Sequence, residues 1–297
     1  IANINVNRLL LDARLQAMIR RFRPQAIVYV PTACATVFSM LRALVLRWHG
    51  RGAPAALVTL QPRRYSALGR GLVGRLAPEW VLAQSARTAL ALERLGCRTS
   101  LLPPAVDLQR YQPATPGTKA ALRRKYRVPS EATVVTHVGH LKGKRNLSQL
   151  LELQAQAGYH TVIVASTSTE HDVMLKRALR NAGVTVIDRY VPNIEEVYCL
   201  SDVYLFLAVE DTAAIDVPLS VLEAMACNLR VVCTPFGGLP DLFEAGEGLL
   251  YWNGQAKLPD LVELALSAPC ATRALVENRT WSAAAESLVQ SLESGAV

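Results

Sequence analysis

DVPLSVLEAMACNLRVVCTPFGGLPDL, residues 216–242, reads as helix, strand, tight glycine turn and second helix. Pro218 stands near the first helical position, where its missing N–H costs nothing, and Gly237-Gly238 stand where the chain must turn sharply. Within the helix, Glu223 is flanked by Val221, Leu222, Ala224, Met225 and Ala226, so the helix is apolar nearly all round and belongs in a core. A carboxylate there is costly unless hydrogen bonds or an opposite charge satisfy it. Two kinds of partner meet that need. One is an internal Arg or Lys. The other is a ligand whose ribose hydroxyls donate to Glu223 while its pyrophosphate faces the free N–H groups of the helix start, between Val217 and Ser220 and including Leu219.

The rest of the chain alternates in the same way. Short β-rich runs at 26–30, 56–60, 80–84, 98–101, 133–138, 161–165, 184–187 and 203–207 are separated by helical stretches at 7–22, 36–48, 65–76, 86–95, 119–126, 147–156, 170–182 and 194–200. That pattern predicts an α/β protein with parallel sheets and helices on both faces. With 51% hydrophobic residues in 297, the chain can fill the core of one large domain or of two of ordinary size. The segment 102–113, LPPAVDLQRYQP, has three prolines and no helical period, so it reads as a linker. The tail at 281–292 reads as a final amphipathic helix.

Charge divides the chain unevenly. Residues 1–110 hold 16 Arg and no Lys against four acids, a net of +12, while residues 111–297 hold 16 basic and 20 acidic residues, a net of −4. Arg63, Arg64, Arg70 and Arg75 cluster beside Tyr65, Leu68, Leu72, Val73 and Leu76. Such a segment suits an anionic membrane surface or an anionic acceptor, and equally a solvated Arg-rich face. No base-stacking aromatic series or helix-turn-helix pattern accompanies the charge, so nucleic acid is not expected as a partner. No apolar run approaches the roughly 20 residues that span a bilayer, and no signal peptide pattern opens the chain. The expectation is a cytoplasmic protein, soluble or peripheral on the inner face of the membrane. The six cysteines stand singly without metal-ligand spacing, which reads as free thiols and no metal site.

At 133–138 a strand runs directly into GHLKGKRN, residues 139–146, and then a helix. A glycine at a strand end followed by cations offers backbone amides and fixed positive charge to a phosphate, although Lys142, Lys144 and Arg145 also suit an ordinary solvated loop.

The segment 218–240, PLSVLEAMACNLRVVCTPFGGLP, resembles the donor-nucleotide signature of the family 4, or group 1, glycosyltransferases, which have the two-domain GT-B fold. The resemblance implies two Rossmann-like domains. The first, 1–106, is acceptor-side and incomplete, since the family's opening strand and Gly-rich loop are not visible and the chain begins at Ile1 without a Met. The second, 107–280, binds the donor, and 281–297 crosses back to the first. In that family two Glu residues bracket the start of the signature helix, the second contacting the ribose and the first the donor sugar. Glu223 matches the second. The first falls at Ile215, and Asp216 is the nearest substitute, or else a helix N-cap. Asn228 stands where the family usually has a C-capping Gly.

The resemblance also places donor diphosphate contacts at Gly139, His140 and Arg145, with Lys144 or Lys142 adding charge where His140 replaces the family's Arg. Base contacts fall at Tyr190 and Val191. It implies a retaining, hexosyltransferase-type glycosyltransferase of glycan biosynthesis that moves a sugar from a nucleotide-sugar donor to a glycan, lipid or small-molecule acceptor. Arg145, Lys144 and Asp216 would serve catalysis, with no metal and no further cofactor. The alternative is a non-catalytic GT-B-like module that binds nucleotide sugar or a partner.

Overall fold

The computed structural model describes residues 13–32 and 34–293. The expected helix at 7–22 is described from Ala13 to Phe22, and its first six residues lie outside the described residues. Two compact units divide the chain. The first holds 1–104, 215–217 and 282–297, and the second holds 105–214 and 218–281. In this division Ala105, Val106 and Trp281 fall in the second unit and Ile215–Val217 in the first.

In the first unit, strands β1 (Ile27–Tyr29), β2 (Ala55–Thr59), β3 (Trp80–Ala83) and β4 (Thr99–Leu101) form a parallel sheet in sequential order. All five residues of β2 and all four of β3 are buried, because helices cover both faces of a parallel sheet and leave no polar side. The helices start where hydroxyls cap them. Thr36 accepts from the Ser39 amide and Ser39 answers with a bond to the Thr36 amide. Ser66 and Ser85 accept from the amides of Gly69 and Thr88. The last helix, Trp281–Glu293, supplies Leu288 and Leu292 to the cluster around Ala56, Trp80 and Leu82.

One close approach in this unit has a measurable consequence. A Cβ on Gly74, in helix Ala67–Leu76, would fall 2.0 Å from the backbone oxygen of Leu95, whereas one on Gly71 would meet nothing within 4 Å. Backbone cannot yield as a side chain can. Gly74→Ala is therefore expected to destabilise the chain by about 1–3 kcal/mol, whereas Gly71→Ala should be neutral or stabilise by up to about 1 kcal/mol through helix propensity. Paired urea denaturation curves check this, and equal midpoints for the two variants would refute it.

In the second unit, β5 (Thr133–Gly139), β6 (Tyr159–Ala165), β7 (Thr185–Ile187), β8 (Val203–Phe206), β9 (Arg230–Cys233) and β10 (Leu249–Tyr251) form a six-stranded parallel sheet ordered β10-β9-β8-β5-β6-β7. From β5 the chain builds β6 and β7 to one side and then returns to build β8, β9 and β10 on the other. The order reverses between β5 and β8, and the crevice outside the carboxyl ends of such strands is where open α/β sheets take ligands. Both faces of this sheet carry a core: Val135, Leu150, Ile163, Leu205 and Val262 share one, and Val134, Val162, Val164 and Leu200 share another on the opposite face. Strand β10 and helix Leu258–Ser267 complete the sheet and its cover, and the sequence pattern did not reveal either. All six thiols are free. Among the described residues no helix is long and apolar enough to cross a membrane.

Candidate functional site

The loop leaving β5 carries the first part of the site. Gly139 ends the strand, and a Cβ there would press on His137 Nε2 at 3.1 Å and on Arg145 Nη1 at 3.2 Å. The bare glycine thus lets an imidazole and a guanidinium meet at the strand end. His137 is fully buried with Nδ1 2.9 Å from the Leu205 carbonyl, a contact that requires the proton on Nδ1 and leaves Nε2 as an acceptor without a partner. Burial first, then the charge of Arg145, pushes its pKa down to about 3, so the ring is neutral.

Arg145 ends a single 3-10 turn, Gly143–Arg145, and Asn146 closes that turn in the left-handed region with φ 54°. Its side chain stacks over the Phe206 ring at 5.2 Å, and the residue is only 6% exposed. Its Nε has no hydrogen-bond partner, and among the described residues no carboxylate pairs with it. Burial holds its pKa below the usual value. The contrast with Arg123 is instructive. That arginine, equally buried, donates to the carbonyls of Leu200, Ser130 and Ala132 and to Asp202. Arg123 is a structural cation with its needs met. Arg145 is a desolvated charge with no carboxylate beside it among the described residues.

The other members of the loop differ from expectation in one respect. Lys144 pairs with Glu210 at 2.9 Å and reaches the Thr212 hydroxyl at 3.2 Å, so its charge is compensated at the surface. His140 is half-buried, and burial followed by Arg145 and Lys142 lowers its pKa, which leaves a neutral ring beside Ser168.

Helix Leu219–Ala226 carries the second part. Pro218 precedes it and no side chain caps its start, so the amides of Leu219 and Ser220 face outward from the first turn. The Tyr204 hydroxyl lies near Ser220 and donates to the Val138 carbonyl at 3.3 Å. Tyr204 therefore stands between the signature helix and the end of β5. Glu223 is half-buried, and its partners are neither Arg nor Lys. Tyr111 donates to Oε1 at 3.0 Å and Tyr198 to Oε2 at 2.6 Å. After the helix, Asn228 sits at φ 54°, the left-handed position expected from its place in the motif, and its side chain bonds the Cys270 carbonyl and the Arg273 amide.

Two expected positions lie elsewhere. Asp216 belongs to the first unit, where that unit's own side chains hold its carboxylate. It is 1% exposed, its Oδ2 takes hydrogen bonds from Ser85 at 2.5 Å and Thr88 at 2.7 Å, and Arg87 lies 3.6 Å from Oδ1. Its own amide is bonded to Leu60 and the next amide to Gln84. The carboxylate sits at the start of helix Ala86–Glu93, where the positive end of the dipole favours it. It is a structural acid for another helix, not an N-cap of its own. In the segment after β7, Tyr190 is 76% exposed, while Val191 packs against the core on the face of Val134 and Leu200. Sequence reasoning missed Tyr111, Tyr198 and His137. Nothing in a linker tyrosine or a helical tyrosine announces a bond to an acid 112 or 25 residues away.

Residues 132–266 match the family described as glycosyl transferases group 1. The chain is 30% identical over 159 residues to a D-inositol 3-phosphate glycosyltransferase of Geodermatophilus obscurus, covering 48% of this chain and 34% of that protein. It is 28% identical over 176 residues to the putative teichuronic acid biosynthesis glycosyltransferase TuaC of Bacillus subtilis, covering 57% and 42%. The chain thus matches less than half the length of either relative. Among solved structures, it resembles Anabaena HepE in complex with UDP (TM-score 0.76, 16% identity, 94% of this chain and 82% of that one). It also resembles a glycosyltransferase from Rickettsia africae (TM-score 0.78, 16% identity, 100% and 83%). At such identities the likeness is one of fold: two parallel α/β sheets of the GT-B type.

Proposed function

We propose, for a chain whose residues 132–266 belong to the group 1 glycosyltransferases, that it transfers a sugar from a nucleoside-diphosphate sugar to an acceptor with retention of anomeric configuration. The observation that carries this reading is Arg145, a buried guanidinium without a counter-charge among the described residues, at the carboxyl end of β5. Cleaving the bond between sugar and phosphate builds negative charge on the leaving diphosphate. A preorganised, desolvated cation stabilises that charge more in the transition state than before it. The uncapped amides of Leu219 and Ser220, with the bare Gly139, add neutral donors and room for close approach. Glu223 supplies acceptors for the ribose, and Tyr190 with Val191 supplies apolar surface for a base. The UDP and UDP-glucose found with HepE support a donor of this class.

The acceptor is a glycan, a lipid-linked species or another anionic molecule held by the first unit. Arg63, Arg64, Arg70 and Arg75 are exposed there beside Leu68, and Arg70, Arg75 and Arg94 line a shallow, open surface depression with Gly71, Gly74 and Gly96. That surface also suits peripheral attachment to an anionic membrane from the cytoplasmic side. The second reading, a module that binds nucleotide sugar without transfer, gains from Asp216 being committed within the first unit and from the neutral His140. One experiment separates the two. Calorimetry with UDP, ADP and GDP, followed by an assay of diphosphate release from the matching nucleotide sugar, should show micromolar-range binding and then turnover. Binding without release would leave the module, and no binding at all would sink both.

A further inference from the structure

Resting on the nucleotide reading above, we propose that Tyr111 and Tyr198 are positioning residues that hold the Glu223 carboxylate with one acceptor site open on each oxygen. Held this way, the site selects a ribonucleotide over its 2′-deoxy counterpart. An ionised carboxylate has about four acceptor sites on its two oxygens and no donor. Tyr111 uses one on Oε1 and Tyr198 uses one on Oε2, at 3.0 and 2.6 Å. One site remains on each oxygen, a pair matched to two neighbouring hydroxyls and not to one.

The phenols can keep that role because they stay protonated and stay put. Desolvation first, and the Glu223 charge next, raise the pKa of both, so each remains a hydrogen-bond donor at physiological pH. Tyr198 is fully buried, and its ring packs edge-on to Tyr111 at 5.8 Å and against Tyr204 at 5.7 Å. Tyr111 is fixed from the linker side: its amide bonds to the Asp107 carbonyl and its carbonyl accepts from Arg273 at 2.8 Å.

A free Glu side chain samples several rotamers and must lose that freedom when a ligand arrives. The two hydroxyls remove it beforehand, at the one place on an apolar helix where a charge must be satisfied in any case. Selectivity then follows from what a missing hydroxyl leaves behind. A 2′-deoxyribose donates once, and a half-buried carboxylate site goes unpaired. The same loss made against a mobile Glu costs less, because the side chain can turn its idle oxygen to water.

The test uses the full chain and a pair of probes, UDP and 2′-deoxy-UDP, titrated by calorimetry into wild type, Tyr198→Phe, Tyr111→Phe and the double variant, with thermal melts alongside. Wild type should bind UDP about 10- to 100-fold more tightly than 2′-deoxy-UDP. Each single variant should shrink that ratio, and the double variant should bring it within about threefold, chiefly through weaker UDP binding. A merely structural role would weaken both ligands alike and keep the ratio, and that result overturns the proposal, as does a wild type that does not discriminate. Should Tyr198→Phe fail to fold, Tyr111→Phe, on the less deeply buried ring, carries the test. Failure of wild type to bind UDP, ADP or GDP at all would instead overturn the nucleotide reading, and this proposal with it. Retained binding with an unchanged ratio overturns only the tyrosine clamp.

Discussion

Replacing Arg145 by alanine is expected to cut transfer turnover about 100- to 1000-fold, the usual cost of removing one electrostatic stabiliser from a preorganised site, while the chain remains folded. The two halves of that expectation come from the same geometry. Most buried arginines cannot be removed cheaply, because a carboxylate or several carbonyls are left without a donor. Arg123 is of that kind, with three carbonyls and Asp202 depending on it. Arg145 leaves only the face of Phe206 and the neighbourhood of neutral His137. Its desolvation cost is borne without a compensating ion pair, so its loss should leave the melting temperature unchanged or slightly raised. Arg145→Lys restores a charge without the planar fork, and it should recover part of the binding and little of the turnover. Single-turnover kinetics beside thermal melts check both halves. Full turnover in Arg145→Ala would end the phosphate assignment, and a collapsed melt would recast Arg145 as structural.

The β strands were legible in the sequence for a simple reason. Parallel sheets covered on both faces need short, continuous apolar runs, and AALVT and VYLF are such runs between helical stretches. Strand β10 escaped although it is as long as β1, β4 and β7: Leu249–Tyr251 follows Gly246 and Gly248, both at positive φ, in a stretch that reads as a turn. In the site, the glycine and cations after β5 and the lone acid on an apolar helix stood out because each breaks a local rule: a charge where burial is dictated, a glycine where a strand should continue.

What escaped were partners far away in the chain. That Lys144 is neutralised by Glu210, 66 residues on, cannot be read from a run of cations. That Asp216 serves the start of helix Ala86–Glu93 depends on a three-residue excursion of the chain into the other unit. Spacing places Asp216 beside the signature helix, and the fold gives its carboxylate to a different one. The alternative weighed for Glu223, a ligand or an internal cation, omitted the partners the structure supplies. Neutral phenols satisfy a carboxylate without cancelling its charge, so the acid is kept both buried and available.

That distinction leads to the second large effect, at Glu223 itself. Glu223→Ala removes the acceptor of both tyrosines. Tyr198 is fully buried, so its hydroxyl is left without a partner, a loss of about 1–3 kcal/mol of stability. Glu223→Gln retains one carbonyl oxygen for one phenol, and the other phenol can turn its oxygen to accept from the amide, so stability should fall by less than about 1 kcal/mol. Both variants lose the charged acceptors proposed for the ribose, and both should bind UDP about 10- to 150-fold more weakly, the range for a lost hydrogen bond to a charged group. The pair therefore separates folding from recognition: one common defect in affinity, and two different melting temperatures. Calorimetry and thermal melts on the two variants decide it. An internal cation as the true partner of Glu223 would erase that difference, with Glu223→Gln nearly as unstable as Glu223→Ala and nucleotide affinity untouched in whatever remained folded.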